Sequence, residues 1–351
     1  MKKLHILCFV CLLAAMQMLS SCGSSSSASQ TITAADVSEQ CTSGVVLIQN
    51  KFFYELDIEG FKPVYFSDFE NGEVKGLTMN PNEIEPVIAW GTGFFIDENG
   101  HIATNAHVAD PSVDAKGARG AIVSYLRETA DEINKELNAL TDKISIAQLA
   151  LLGASGSDRM EIKQVYDALI EERETKQAFI NNFHELSGAD YEVKLVSELS
   201  IAYANTHVNK LTDFSDCVLF RSDRDHDLAI IQLKTQRTPE ECFIFAVDDT
   251  IEGDEQDCPV GTQLFLIGYN HGPQLAITEE GLKPQVFQGA ITQNTDSNQI
   301  LYSIPTLGGS SGSPVLDEYG DLVAVNYAGL SGTQNFNYGI KIKHLVNLIN
   351  K

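Results

Sequence analysis

Basic residues are scarce in this chain. Its 351 residues carry 24 Lys and Arg against 48 Asp and Glu, a formal charge of −24. Binding nucleic acid takes clustered cations that displace counterions from phosphates, so no nucleic-acid partner is expected. Long apolar runs are equally scarce. Beyond the first twenty residues, no stretch approaches the roughly 20 apolar residues that span a bilayer. Metal-site spacing is missing as well: Cys41, Cys217, Cys242 and Cys258 form no CxxC or Cys/His pattern, and the histidines show no ligand spacing. Neither a metal nor a cofactor is expected. What is there is ordinary globular material, 43% hydrophobic and 21% charged, which excludes a disordered or collagenous chain. The length allows one large domain or two small ones.

The amino terminus reads as an address. Lys2 and Lys3 precede an apolar run from Leu4 to Leu19, then small residues and Cys22. That order is a secretory signal peptide, and the run is short for a permanent span. Leu19-Ser20-Ser21-Cys22 resembles the lipobox of bacterial lipoproteins, in which cleavage leaves a lipid-bearing cysteine. The resemblance implies a signal peptide over 1–21, lipidation at Cys22, and a membrane-anchored protein of the bacterial cell envelope. Gly23, with no acidic residue just after Cys22, resembles lipoproteins sent to the outer membrane. Residues 22–40 are expected to form a tether, Ser-rich from Gly23 to Ser29, with the folded domain running over 41–351. In an oxidising compartment, the four remaining cysteines allow three full pairings. Cys242 and Cys258 are the nearest in sequence and the favoured bridge, with free buried thiols as the alternative.

From Ser43 onward the chain reads mostly as short strands. Segments 44–48, 90–97, 101–104, 217–220, 228–233, 262–267, 286–292, 299–304, 314–316 and 322–326 are rich in β-branched and aromatic residues and punctuated by Gly, Asn and Asp. This pattern predicts an all-β barrel or sandwich. The middle departs from it. Ile133, Leu137, Leu140, Ile144, Ala147 and Leu151 recur at helical spacing, and Gly153–Ser157 then interrupts. Asp158 is a candidate N-cap for a second helix carrying Ile162, Val165, Leu169, Phe179 and Phe183. An antiparallel helical hairpin inserted over about 120–190 is expected, as a substrate gate, a docking arm or a plain elaboration.

Three segments carry chemistry-bearing residues. Thr104-Asn105-Ala106-His107-Val108 places a histidine just past a strand. Asp225-His226-Asp227-Leu228-Ala229 places a carboxylate at the start of a buried strand, and Gly308-Gly309-Ser310-Ser311-Gly312-Ser313-Pro314 places a serine in a glycine-flanked loop. Together they resemble the trypsin-like, chymotrypsin-fold serine peptidases, whose chain order is His, Asp, Ser. Thr104, Ala106 and His107 match the T-x-A-H motif, and Asp227, Leu228 and Ala229 match D-[LI]-A. Gly309, Ser311, Gly312, Ser313 and Pro314 match G-x-S-G-[GS]-P, while Gly91–Ile96 resembles the G-x-G-F strand of bacterial members. The nucleophile segment is closest to glutamyl endopeptidases, and the histidine segment to HtrA/Deg-type proteases.

The resemblance implies two six-stranded antiparallel β-barrels and a serine endopeptidase acting on polypeptides. A serine hydroxyl is a weak nucleophile, so Ser311 needs His107 as its base, with Asp227 holding the imidazole. The backbone N–H groups of Gly309 and Ser311 are the expected oxyanion donors. Ser310 stands where many digestive members carry an activating Asp, so activation through a new amino terminus is not expected. Thr306 and Asn326 match the two positions that read a substrate carboxylate in the glutamyl branch, except that Asn326 replaces a His. A small or uncharged residue before the cut follows. Two other readings are a protease-fold binding or chaperone module and an esterase. The intact His107, Asp227 and Ser311 weigh against the first. The missing final glycine of G-x-S-x-G weighs against the second.

Overall fold

A computed structural model of the protein describes residues 31–183, 189–208, 213–247, 259–294, 296–329 and 336–351. The expected signal peptide, Cys22, the Ser-rich part of the expected tether and Cys258 lie outside the described residues. Among the described residues, no helix is long and apolar enough to cross a membrane.

The first barrel is built from β1 (Val45–Ile58), β2 (Val87–Phe95), β3 (His101–Thr104), β4 (Tyr191–Tyr203), β5 (Ser215–Asp223) and β6 (Leu228–Leu233). The ring runs β1-β2-β3-β6-β5-β4 and closes where β4 pairs back onto β1, from Val46 against Tyr203 to Ile58 against Tyr191. The second barrel is β7 (Gln263–Gly268), β8 (Gln285–Asn294), β9 (Gln299–Tyr302), β10 (Pro314–Asp317), β11 (Leu322–Gly329) and β12 (Asn337–Lys341). It closes in the order β7-β8-β9-β12-β11-β10. Closure leaves neither sheet with an open edge along its paired length. Both expected six-stranded antiparallel barrels are therefore present.

Strand alternation divides the side chains between cores. On β1, Val46 and Ile48 point into the first barrel with Phe95, Ile102, Ile201 and Ile231. Val45 and Leu47, one residue out of phase, face the seam with Phe94, Leu228, Phe265, Ile267 and Val325. Leu264, Leu266, Tyr302, Val315 and Val323 fill the second barrel. The seam core is continuous across both barrels, so it fixes their relative position and hence the groove between them.

The structure corrects the boundary of the tether. Residues 34–40 form a helix, α1 (Ala34–Gln40), with Thr33 and Asp36 in a reciprocal capping box. Val37 is buried in the seam core, and the Ile32 N–H donates to the Glu318 carbonyl on the second barrel. The folded domain thus begins about ten residues before Cys41, because one apolar residue on a capped helical turn has a core to enter.

The inserted hairpin is α3 (Ala115–Gly153) and α4 (Gly156–Phe183), separated by the single turn α2 (Ala106–Ala109) from β3. Asp158 is not the cap of the second helix, which starts two residues earlier at Gly156, where φ is +64. At ~1.5 Å per residue, the 39 residues of α3 extend about 58 Å. Only its first turns dock: Ala118, Ile122 and Leu126 pack on Phe52, Tyr54, Leu56 and Phe66. Farther out, Ala130, Leu137 and Ile180 tie the two helices together, with Lys176 Nζ 2.6 Å from Glu136. At the tip, Leu149, Leu152 and Met160 are exposed.

Cys41, Cys217 and Cys242 are free thiols, so a Cys242–Cys258 bridge is not part of the described structure. Burial pushes their pKa values up to about 11, 12 and 11. A buried thiol is a poor thiolate, so none of the three is a candidate nucleophile.

The C-terminal helix α5 (Ile342–Asn350) covers the back of the seam, and Arg221 donates to its last carbonyls, at Leu348 and Ile349. His344 is buried there, stacked on His226 with ring centroids 4.0 Å apart. Burial, then the nearby His226 and Lys343, push its pKa from 6.5 down to about 4. The facing carboxylate, Asp223, is engaged by His226 and Lys351. A histidine that binds its proton less readily when folded stabilises fully above pH 6.5, and that stability is lost as pH falls toward 4. Urea unfolding is expected to show a loss on the order of 2–3 kcal/mol from this group over that window, and His344→Leu to remove that part of the slope.

Candidate active site

His107 stands on α2, the turn that follows β3. Asn105 starts the turn in an extended conformation, and the flanking Ala106, Val108 and Ala109 are buried. Asn50 Nδ2 donates to the Val108 carbonyl at 2.8 Å, and Ser197 Oγ donates to Asn50 Oδ1 at 2.6 Å. The turn is thereby held from β1 and β4, with the His107 side chain left exposed.

Asp227 lies 120 residues away in sequence and is delivered by sheet pairing, Thr104 of β3 opposite Ala229 of β6. Its carboxylate grips His107 twice. Oδ1 accepts from the His107 backbone N–H at 2.8 Å, and Oδ2 lies 2.7 Å from Nδ1. The Asp227 carbonyl accepts from Asn105 Nδ2 at 2.9 Å, and Asp227 itself sits at φ +51. A left-handed aspartate costs of order 1 kcal/mol or more and persists only where its surroundings over-determine it. Here those surroundings include Arg224, which donates from Nε and Nη2 to both Asp110 oxygens at 2.9 and 2.6 Å. With Nδ1–H directed at Asp227, Nε2 is the nitrogen left to take a proton.

Ser311 occupies the loop between β9 and β10. Its Oγ donates to the Tyr327 carbonyl at 3.4 Å rather than to His107. Catalytic hydrogen bonds are often long or misdirected before substrate arrives, and one rotation about χ1 changes this partner. The loop is pinned from the first barrel by Thr92, which is fully buried. Its N–H donates to the Ser311 carbonyl and its Oγ1 to the Gly309 carbonyl, each at 2.8 Å. The same Oγ1 accepts from Tyr269 N–H, and the Thr92 carbonyl accepts from Thr104 Oγ1. One residue, through its backbone and its hydroxyl, thus joins the histidine strand, the serine loop and the end of β7. In the sequence Thr92 belongs to a flanking motif and shows no role of its own; a polar residue between two strand glycines is the available signal.

Gly309 is in the left-handed region at φ +98, and a side chain there would meet Gly272 N and Tyr269 O at 2.5 Å. Among the described residues, neither Gly309 N–H nor Ser311 N–H meets an acceptor, although Ser310 N–H and Gly312 N–H both do. Two uncommitted N–H groups flanking a serine are what an oxyanion needs.

Asn326 departs from its expected place in the substrate pocket. It is buried, with Oδ1 accepting from Tyr302 O–H at 2.7 Å and Nδ2 donating to the Ser310 carbonyl at 2.9 Å. Both ends of the amide are occupied, so Asn326 supports the nucleophile loop instead of reading substrate. Thr306 is half-buried on the approach to Ser311. Among the described residues, no cluster of three or more His, Cys, Asp or Glu could hold a metal ion.

Comparison with protein families matches residues 171–325, under half of the chain, to the trypsin-like peptidase domain. That span contains Asp227 and Ser311. His107 lies before it, on the far side of the helical hairpin. No curated protein matches the chain in sequence. A serine endoprotease from Yersinia pestis is similar in structure, with a TM-score of 0.44 and 11% identity over 91% of this chain. The chain spans 66% of that protein's length. Deg5 is also similar, with a TM-score of 0.39 and 16% identity over 89% of this chain and 90% of its own. The family match supports a trypsin-like serine peptidase.

Proposed function

We propose that the protein is a serine endopeptidase using His107, Asp227 and Ser311. The observation that carries this reading is the double grip of Asp227 on His107 beside a serine loop with two unspent N–H groups. His107 Nε2 takes the Ser311 proton as Oγ attacks the carbonyl carbon, and the resulting imidazolium is stabilised by Asp227. The oxyanion forms against Gly309 N–H and Ser311 N–H. His107 then protonates the leaving amine, the peptide bond breaks, and an acyl-enzyme remains on Ser311. Water, deprotonated by His107, releases the acid and restores the serine.

The substrates are polypeptides, with a small or uncharged residue before the cut, read in part by Thr306. The amino-terminal pattern supports a protein of the bacterial cell envelope, anchored by a lipid at Cys22 and sorted to the outer membrane. A lapsed protease-fold binding module is the competing reading.

Residues 23–351 incubated with an unfolded protein, with cuts mapped by mass spectrometry, test both. Ser311→Ala is expected to abolish every cut, by on the order of a million-fold in kcat. Cuts that persist in Ser311→Ala refute the triad. No cuts, and no labelling of Ser311 by a fluorophosphonate, favour the binding module.

A further inference from the structure

Gly309 N–H can receive an oxyanion only if the Gly308–Gly309 peptide keeps one of its two faces toward Ser311. A trans peptide points its C=O and N–H in opposite directions, and no cis bond occurs here. Whatever holds the Gly308 carbonyl therefore aims the Gly309 N–H. The holder is the His271 backbone N–H, which donates to the Gly308 carbonyl at 2.6 Å. On the side that a Cβ would occupy, Gly308 meets no atom within 4 Å.

His271 is part of the turn Tyr269–Gly272, which leaves β7 and is left-handed at both His271 (φ +61) and Gly272 (φ +56). Such a turn does not hold its shape unaided. Asn270 holds it. This side chain is 3% exposed, and its Oδ1 accepts from the Leu307 N–H at 3.2 Å, while its own backbone N–H donates to Gln285 Oε1 at 2.9 Å. The Leu307 carbonyl is taken from the other side by Ser310 N–H at 3.0 Å and Ser310 Oγ at 2.7 Å.

We propose that Asn270 is a positioning residue for the oxyanion hole. Through Leu307 and the His271 N–H it keeps the Gly308–Gly309 peptide with its N–H toward Ser311. This rests on the serine peptidase reading. Asn270 touches neither substrate nor nucleophile. Its loss would let the peptide turn over, putting the Gly308 carbonyl where the oxyanion should sit.

The test compares Asn270→Leu, similar in size without an acceptor, with Asn270→Asp, which retains one. Asn270→Leu is expected to lower kcat on a peptide substrate roughly 10- to 100-fold, short of the loss from deleting a donor outright. KM should stay within about twofold, because the ground-state carbonyl makes little use of the hole. Affinity for a peptide boronate, whose tetrahedral adduct fills the hole, should fall with kcat, and Asn270→Asp should restore both. A crystal structure of Asn270→Leu should show the Gly308–Gly309 peptide reversed. Unchanged kcat and adduct affinity overturn the proposal, as does a loss confined to KM. If Asn270→Leu fails to fold, Gln285→Met releases the same turn from outside and carries the same measurements. Should fluorophosphonate leave Ser311 of the wild type unlabelled, the peptidase reading fails. The peptide orientation in Asn270→Leu then decides this proposal alone: reversal sustains it and the native orientation overturns it.

Discussion

Asp227→Asn is expected to lower kcat about ten-thousand-fold with little change in thermal stability. The asparagine Oδ1 can still accept from the His107 backbone N–H, so the α2 turn keeps its anchor and the imidazole its position. The other end of the side chain becomes a donor facing Nδ1 across a gap that is now 2.7 Å. Two donors cannot share that gap, so the ring must carry its proton on Nε2, the nitrogen that has to accept from Ser311. The variant therefore folds, binds and fails at the first proton transfer. Kinetics on a peptide substrate beside calorimetry check this. A loss below about tenfold would mean that Asp227 acts only as a scaffold. A collapse of Tm would mean that the lost activity reports unfolding.

Gly312→Ala is expected to abolish cleavage for a different reason, by breaking the loop. Gly312 is at φ +87, where a non-glycine residue costs about 1–2 kcal/mol. The added methyl would fall 2.1 Å from the Thr92 carbonyl and 2.4 Å from Thr104 Oγ1, the pair that joins β2 to β3 beneath the site. Overpacking of this kind costs a further 1–3 kcal/mol or so. The total, about 2–5 kcal/mol, should appear in urea unfolding together with loss of activity. Gly308→Ala is the control for stability, since nothing lies within 4 Å of its Cβ position and its φ is not left-handed. It should change unfolding by no more than about 0.5 kcal/mol. Equal effects at both positions would remove the steric argument.

Much of the architecture was legible because strand signals are local. Ten segments read as strands in the sequence, and each falls on one of the twelve barrel strands. The two that went unmarked are instructive. Tyr191–Tyr203 alternates apolar residues at Val193, Leu195, Leu199 and Ile201, a clear period-2 signal overshadowed by the helices before it. Asn337–Lys341 holds only five residues, with a glycine in the middle, too few for a period to show. The helical hairpin was visible in the spacing of Leu137, Leu140, Ile144 and Ala147, all buried. The first helix starts at Ala115, ahead of the expected start, because Ala118, Ile122 and Leu126 bury against the barrel at a spacing that blends with the loop before it.

The triad candidates could be read from the chain because the chemistry restricts residue type and the turns around each residue restrict its neighbours. A base after a strand, a carboxylate before one and a serine between glycines are local patterns, so by itself the sequence singled out those three candidates and determined the all-β class. It did not determine what stands behind them. The bidentate hold of Asp227 on His107, Thr92 as the joint of three segments, and Asn326 as a prop rather than a reader of substrate all depend on contacts between residues 12 to 217 positions apart. Only the tertiary structure decided these. Hydrogen-bond partners are set by where closed strands bring the chain back, and a polar side chain carries no mark of which distant carbonyl it will meet.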